Sequence, residues 1–90
     1  VYAEVECHIY NAQSLKDKRS VVKKLIHKIR QDFNVSIAEI DYQQLWQRTK
    51  LAIVTVANDV SYAEKIIQNV LKTIDQFSEL ERTITSVERL

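Results

Sequence analysis

Ninety residues, 46% of them aliphatic or aromatic and 28% charged with a formal net charge of +1, suffice for one modest core and not for two domains. One cysteine, Cys7, excludes an internal disulfide or a thiolate-rich zinc site and fits a reducing, cytoplasmic setting, and the absence of glycine excludes the glycine-rich phosphate loops of the common nucleotide-binding enzymes. No apolar run approaches the ~20 residues of a membrane span and no signal-peptide pattern is present, so no membrane association is expected.

The chain starts at Val1 without a methionine, so a few native residues are expected to precede it. From Val1 to Ile9 the pattern alternates, with Ala3, Val5, Cys7 and Ile9 on one face and Tyr2, Glu4, Glu6 and His8 on the other. That is the period of a strand with one buried side. After Tyr10 to Gln13, Ser14 opens a helix by accepting from the Asp17 amide, close to a capping box. Leu15, Val22, Leu25, Ile26, Ile29 and Phe33 form its apolar stripe, and Asn34 ends it.

Residues 35–42 read as a second strand whose alternation slips between Val35/Ile37 and Ala38/Ile40, which predicts a bulge or burial on both sides. Residues 43–48 connect it to a third strand, 49–57, carrying the interior run Leu51-Ala52-Ile53-Val54. Asn58 and Asp59 read as a turn and helix cap, and Ser61 with Glu64 as a capping box. Ala63, Ile66, Ile67, Val70, Leu71, Ile74 and Phe77 mark a second amphipathic helix, and residues 80–90 a final, weaker strand. Two strand–helix–strand units with right-handed crossovers, each helix bearing one apolar stripe, predict a single α+β domain over 1–90. The expected architecture is a ferredoxin-like β-α-β-β-α-β sandwich, a four-stranded antiparallel sheet with both helices on one face.

The charge distribution is uneven. Seven of the thirteen Lys and Arg residues lie between positions 16 and 30, against a single acid, Asp17. At about 100° per residue, Lys16, Arg19, Lys23 and Arg30 share a sector of roughly 60° beside the apolar stripe. Lys16, Lys18 and Arg19 occupy the first turn, where the helix dipole is already positive and cations oppose stability. Such an end suits a phosphate, so Lys16, Lys18, Arg19, Lys23 and Arg30 are the candidate RNA- or phosphate-binding residues. The alternatives are a solvated basic face and attraction to an acidic protein. Lys18 projects toward the apolar side; either its stem snorkels outward, or the helix starts one or two residues late and Lys18 reaches across the loop.

Trp46 and Arg48, beside the central connection, are a candidate secondary contact, although a tryptophan there more commonly folds back onto the core. Tyr10 is a weaker stacking candidate. His8 and His27 have no ligand-like spacing, so neither metal nor cofactor is expected. Cys7, on the apolar face, reads as a buried small residue. Glu39 and Asp41, two apart on one strand, would share a face, with no pocket to make acid–base use of them.

Ser14-Leu15-Lys16-Asp17-Lys18-Arg19-Ser20-Val21 resembles the hallmark of the YlxP-like family of small uncharacterised bacterial proteins. Residues 33–41, Leu45-Trp46-Gln47-Arg48 and Val56-Ala57-Asn58-Asp59 are similar to its further blocks, so the resemblance spans essentially the whole chain. It implies a ferredoxin-like fold and no established catalytic residues. It also implies a ribosome or RNA role by association, since members are often encoded beside translation factors and ribosome-binding factor A. Many members have a Pro-Gly turn after the first strand, where this chain has Tyr10-Asn11-Ala12-Gln13.

The resulting expectation is a non-enzymatic binding module for RNA or a ribosomal partner. The alternative is a homo-oligomeric adaptor, such as a homodimer, using the open sheet face or an edge strand. A small-phosphoester enzyme of the acylphosphatase-like type would need a glycine-containing anion loop that this chain does not have.

Overall fold

The computed structural model describes residues 1–89. In chain order it places β1 (Tyr2–Ile9), α1 (Leu15–Asp32), β2 (Ser36–Asp41), β3 (Arg48–Val54), α2 (Val60–Asp75) and β4 (Leu80–Glu88). The strands form one antiparallel sheet in the order β2-β3-β1-β4, which is the ferredoxin-like arrangement read from the sequence. β1 and β3 are central; β2 and β4 are the two edges.

The alternation in β1 is observed directly. Ala3, Val5, Cys7 and Ile9 are buried beneath the helices, while Tyr2, Glu4, Glu6 and His8 lie on the opposite face. Thr49, Leu51 and Ile53 of β3 join the buried side. From α1 come Val22, Leu25 and Ile29, and from α2 Ala63, Ile67, Val70, Leu71 and Ile74. Each of the larger side chains contributes about 1.5–3 kcal/mol by leaving water, which is why two single-stripe helices suffice to cover one face.

Ser14 and Asp59 cap the two helices as the sequence reading had them; the end of α1 and the Ser61–Glu64 capping box differ from it. Ser14 caps α1 as expected, its hydroxyl accepting from the Asp17 amide at 3.1 Å, but the helix ends at Asp32 with Phe33 as its C-cap. α2 is capped by Asp59, whose carboxylate accepts from the Ser61 amide at 3.1 Å. Ser61 therefore lies inside the helix, and Glu64 is drawn instead to Arg89. A carboxylate two residues earlier satisfies the free amides at least as well as a serine hydroxyl would, and it also complements the dipole.

β2 contains a bulge, at Ile40 and not at the slip read between Ile37 and Ala38. Glu39 aligns with buried Leu51, and Asp41 aligns with Lys50 on the open face. Glu39 and Asp41 therefore point to opposite sides of the sheet, and the expectation that they share a face is corrected: the extra residue, Ile40, reverses the alternation. A second bulge interrupts β4, where Thr83 falls between the residues aligned with Glu6 and Cys7. Two residues adopt left-handed backbone, Asn11 at φ 59° and Tyr42 at φ 62°. Asn11 tolerates this conformation in the turn after β1, whereas a tyrosine pays about 1–2 kcal/mol and needs support from its surroundings.

Candidate nucleic-acid interface

Lys18 follows the spacing of the core stripe, with Val22, Leu25 and Ile29 four, seven and eleven residues on. It is fully buried, at 0% exposure. Its ammonium reaches the far end of β2, donating to the Tyr42 carbonyl at 2.8 Å and the Gln43 carbonyl at 3.3 Å. It also pairs with the Glu39 carboxylate at 2.7 Å. Three donors meet three acceptors, so the burial of the charge is compensated. Thr49 donates to the same Glu39 oxygen at 2.6 Å.

This removes Lys18 from the phosphate-binding set. The helix begins at Leu15, and from the first turn the side chain crosses to the loop instead of snorkelling to solvent. Its work is structural: it holds the carbonyl of strained Tyr42 and so fixes the β2–β3 loop against the start of α1. Two further contacts fasten that end, from the Gln47 side-chain amide to the Ala12 carbonyl at 3.2 Å and from the Ile9 amide to the Gln47 carbonyl at 2.9 Å.

The other cations of α1 divide into two groups. Lys24 meets Glu79, and Lys28 meets Asp32 one turn on at 2.8 Å, so part of the positive charge is neutralised locally. Lys16, Arg19, Lys23 and Arg30 are exposed and form no ion pair among the described residues. They are the four that share one sector of the helix.

Arg19, Lys23 and Arg30 line a groove of about 390 Å³ between α1 and the edge strand β2, together with Val22, Ile26, Ala38 and Glu39. Arg30 is turned toward β2, donating to the Ile37 carbonyl at 2.9 Å. Glu39 is the one acid of the lining, only 17% exposed and matched by Lys18 from beneath. The buried ion pair thus leaves the three rim cations uncompensated. The sequence reading missed this wall; the signal for it was a lysine standing on an apolar stripe.

Trp46 is 52% exposed at the β2–β3 connection and does not cap the core. Arg48 is engaged: it pairs with Glu6 at 3.0 Å and lies over the Tyr42 ring at 4.1 Å. Of the secondary pair, the tryptophan is open to a partner and the arginine is already matched. Tyr10 is partly exposed, with its hydroxyl donating to Glu81 at 2.6 Å and its ring edge-on to His8.

The open sheet face is a lattice of paired polar groups. Lys50 pairs with Glu4 at 3.0 Å, and Tyr2 donates to the same carboxylate at 2.8 Å. The Tyr2 hydroxyl bond, and then Lys50, hold the Glu4 carboxyl below its ordinary range, while the bond to Glu4 raises both Tyr2 and Lys50. RNA-binding sheets of this topology stack bases on aromatics of the two central strands. Here the open face of β1 offers Tyr2 and His8, and that of β3 Arg48, Lys50, Ala52 and Val54. Cys7 is buried, and burial pushes its thiol up to about 12, so it is no nucleophile at neutral pH.

Residues 1–87 match the family model described as a protein of unknown function, DUF503. The chain belongs to this family. It is also 51% identical over 87 residues to the uncharacterised protein YlxP of Bacillus subtilis (strain 168), covering 97% of this chain and 95% of the relative. The resemblance read from the motifs is therefore confirmed over nearly the full length. No helix among the described residues is long and apolar enough to cross a membrane, and they hold no cluster of three or more metal-ligating His, Cys, Asp or Glu side chains.

Proposed function

We propose that this protein is a non-enzymatic module that binds RNA or a ribonucleoprotein through α1. The observation that carries this reading is the uncompensated row of Lys16, Arg19, Lys23 and Arg30, three of which converge on one groove. A row of like charges repels itself and gains no fold stability, so a polyanion is its natural complement. Contacts to phosphate position a partner without reading its sequence. Exposed Trp46, on the loop that Lys18 ties to the same helix end, adds a stacking surface. The non-enzymatic part is supported by the engagement of the obvious reactive groups: Cys7 is buried and Glu39 is tied to Lys18 and Thr49.

The test is binding to ribosomes and rRNA fragments across a salt series, alongside a pull-down from bacterial lysate with and without ribonuclease. Four phosphate contacts to single-stranded RNA predict a slope of log affinity against log salt of about −3. Arg19→Ala/Lys23→Ala should flatten that slope by about half. No binding at low salt, or binding indifferent to these substitutions, overturns the proposal.

A second reading has its own observation. The edge strand β4 carries an uncharged run, Thr83 to Val87, with Ile84 60% exposed. Edges are usually blunted by charge or covered, and this one invites a second copy. A mass near twice 10.5 kDa that Ile84→Lys returns to the monomer value would support a homodimer; a monomer at all concentrations removes it.

A further inference from the structure

Resting on the RNA reading above, we infer that the α1–β2 groove seats an unpaired RNA strand and discriminates against duplex. Its phosphates lie on Arg19, Lys23 and Arg30, and a base lies against Val22 and Ile26.

The groove's shape and lining both carry this inference. Its cations do not stand on a flat ridge; they rim a recess of about 390 Å³, near the lower end of the roughly 300–1,000 Å³ of small-ligand sites. That is room for a base and its sugar, and too little for a paired helix. The floor between the cations is apolar. Val22 is buried against the core, and Ile26 is partly open above it. A duplex keeps its base faces stacked inside and would leave this floor uncovered, whereas an unpaired base has an apolar face to place there.

The far wall supplies hydrogen-bonding groups. β2 is an edge strand, so its outer amides and carbonyls have no strand partner. Ala38 aligns with Ala52 and turns its amide and carbonyl inward to β3, so the outward backbone groups beside the groove are those of Ile37 and Glu39. Arg30 already uses one carbonyl of this wall, that of Ile37. The edges of an unpaired base can use others, an option closed to a base already paired. Electrostatics agree, because Lys18 neutralises the one carboxylate in the lining and a phosphate entering the groove meets three cations with no opposing charge. Arg19 and Arg30 stand about 16 Å apart along the helix axis, so the seat is short, a few nucleotides long.

The experiment is fluorescence anisotropy with a labelled 12-nucleotide RNA of mixed sequence, as a single strand and as its 12-base-pair duplex, at fixed salt. The single strand should bind at least tenfold more tightly. The deciding variant is Ile26→Lys, with folding checked by thermal melting. If phosphate attraction alone were responsible, an added lysine would strengthen binding to both forms. The groove requires the opposite, a loss of at least fivefold for the single strand. Equal affinity for the two forms in the unaltered protein overturns the inference even if Ile26→Lys does not fold, as does a single-strand preference that survives Ile26→Lys. In either case, weakening by Arg19→Ala/Lys23→Ala would show that the broader RNA reading still stands. Failure of every RNA to bind would end both.

Discussion

The two halves of this domain are built alike and finished differently. In each, a helix lies over the sheet beside an edge strand: α1 beside β2, and α2 beside β4. At the α2–β4 flank the arginines on and just after the edge strand are matched by helix carboxylates. Arg82 takes Asp75 in a two-pronged bond of 2.7 and 2.9 Å, which raises the guanidinium further, and Arg89 meets Glu64. α2 carries two acids and two bases. α1 carries seven bases and two acids, and its edge strand returns one carboxylate, Glu39, which the buried Lys18 consumes. One flank pairs its arginines and has a helix in charge balance; the other keeps a net positive excess. Identical architecture therefore does not imply identical surfaces, and the unbalanced flank is where a ligand finds something to complete.

The comparison is most easily broken at Lys18. Lys18→Met should cost about 3 kcal/mol in urea unfolding, because it strands Glu39 without its cation and leaves the Tyr42 and Gln43 carbonyls unpaired. Adding Glu39→Gln should recover part of the loss. A cost well under 1 kcal/mol would mean that the α1–β2 flank is not held by this network.

At the α2–β4 flank, Asp75→Asn should cost about 0.5–1 kcal/mol, since its partner Arg82 is only partly exposed and the pair is two-pronged, yet both groups still touch solvent. The loss should shrink at high salt. A cost as large as that of Lys18→Met would erase the distinction between a surface staple and a buried lock.

The smallest effect has the opposite sign. Lys16→Glu, in the first turn of α1, should stabilise the fold by about 0.3–0.5 kcal/mol by complementing the helix dipole, while weakening RNA binding. A gain in melting temperature together with a loss of affinity would show that this cation is kept against stability. A loss in both would make Lys16 structural.

Much of this was legible in the residues. Period-two alternation in β1 and the 3.6-residue stripes of both helices specify which faces must be buried, and two such units admit few topologies. The pattern of β2 signalled a bulge but placed it before Ala38, whereas the extra residue is Ile40. Its consequence for Glu39 and Asp41 did not follow, because spacing assumes an unbroken pleat. The cationic sector of α1 was visible by helical geometry alone, and so was the oddity of Lys18 on the core stripe.

Local pattern thus settled the elements, the core and the excess of charge, since each depends on neighbours a few residues away. Which cations remain open depends on carboxylates brought from elsewhere in the chain: Glu39 is 21 positions from Lys18, and Glu79 is 55 from Lys24. Only folding determines those pairings, and with them the groove, because a charge is free or spent according to what stands within a few ångströms of it.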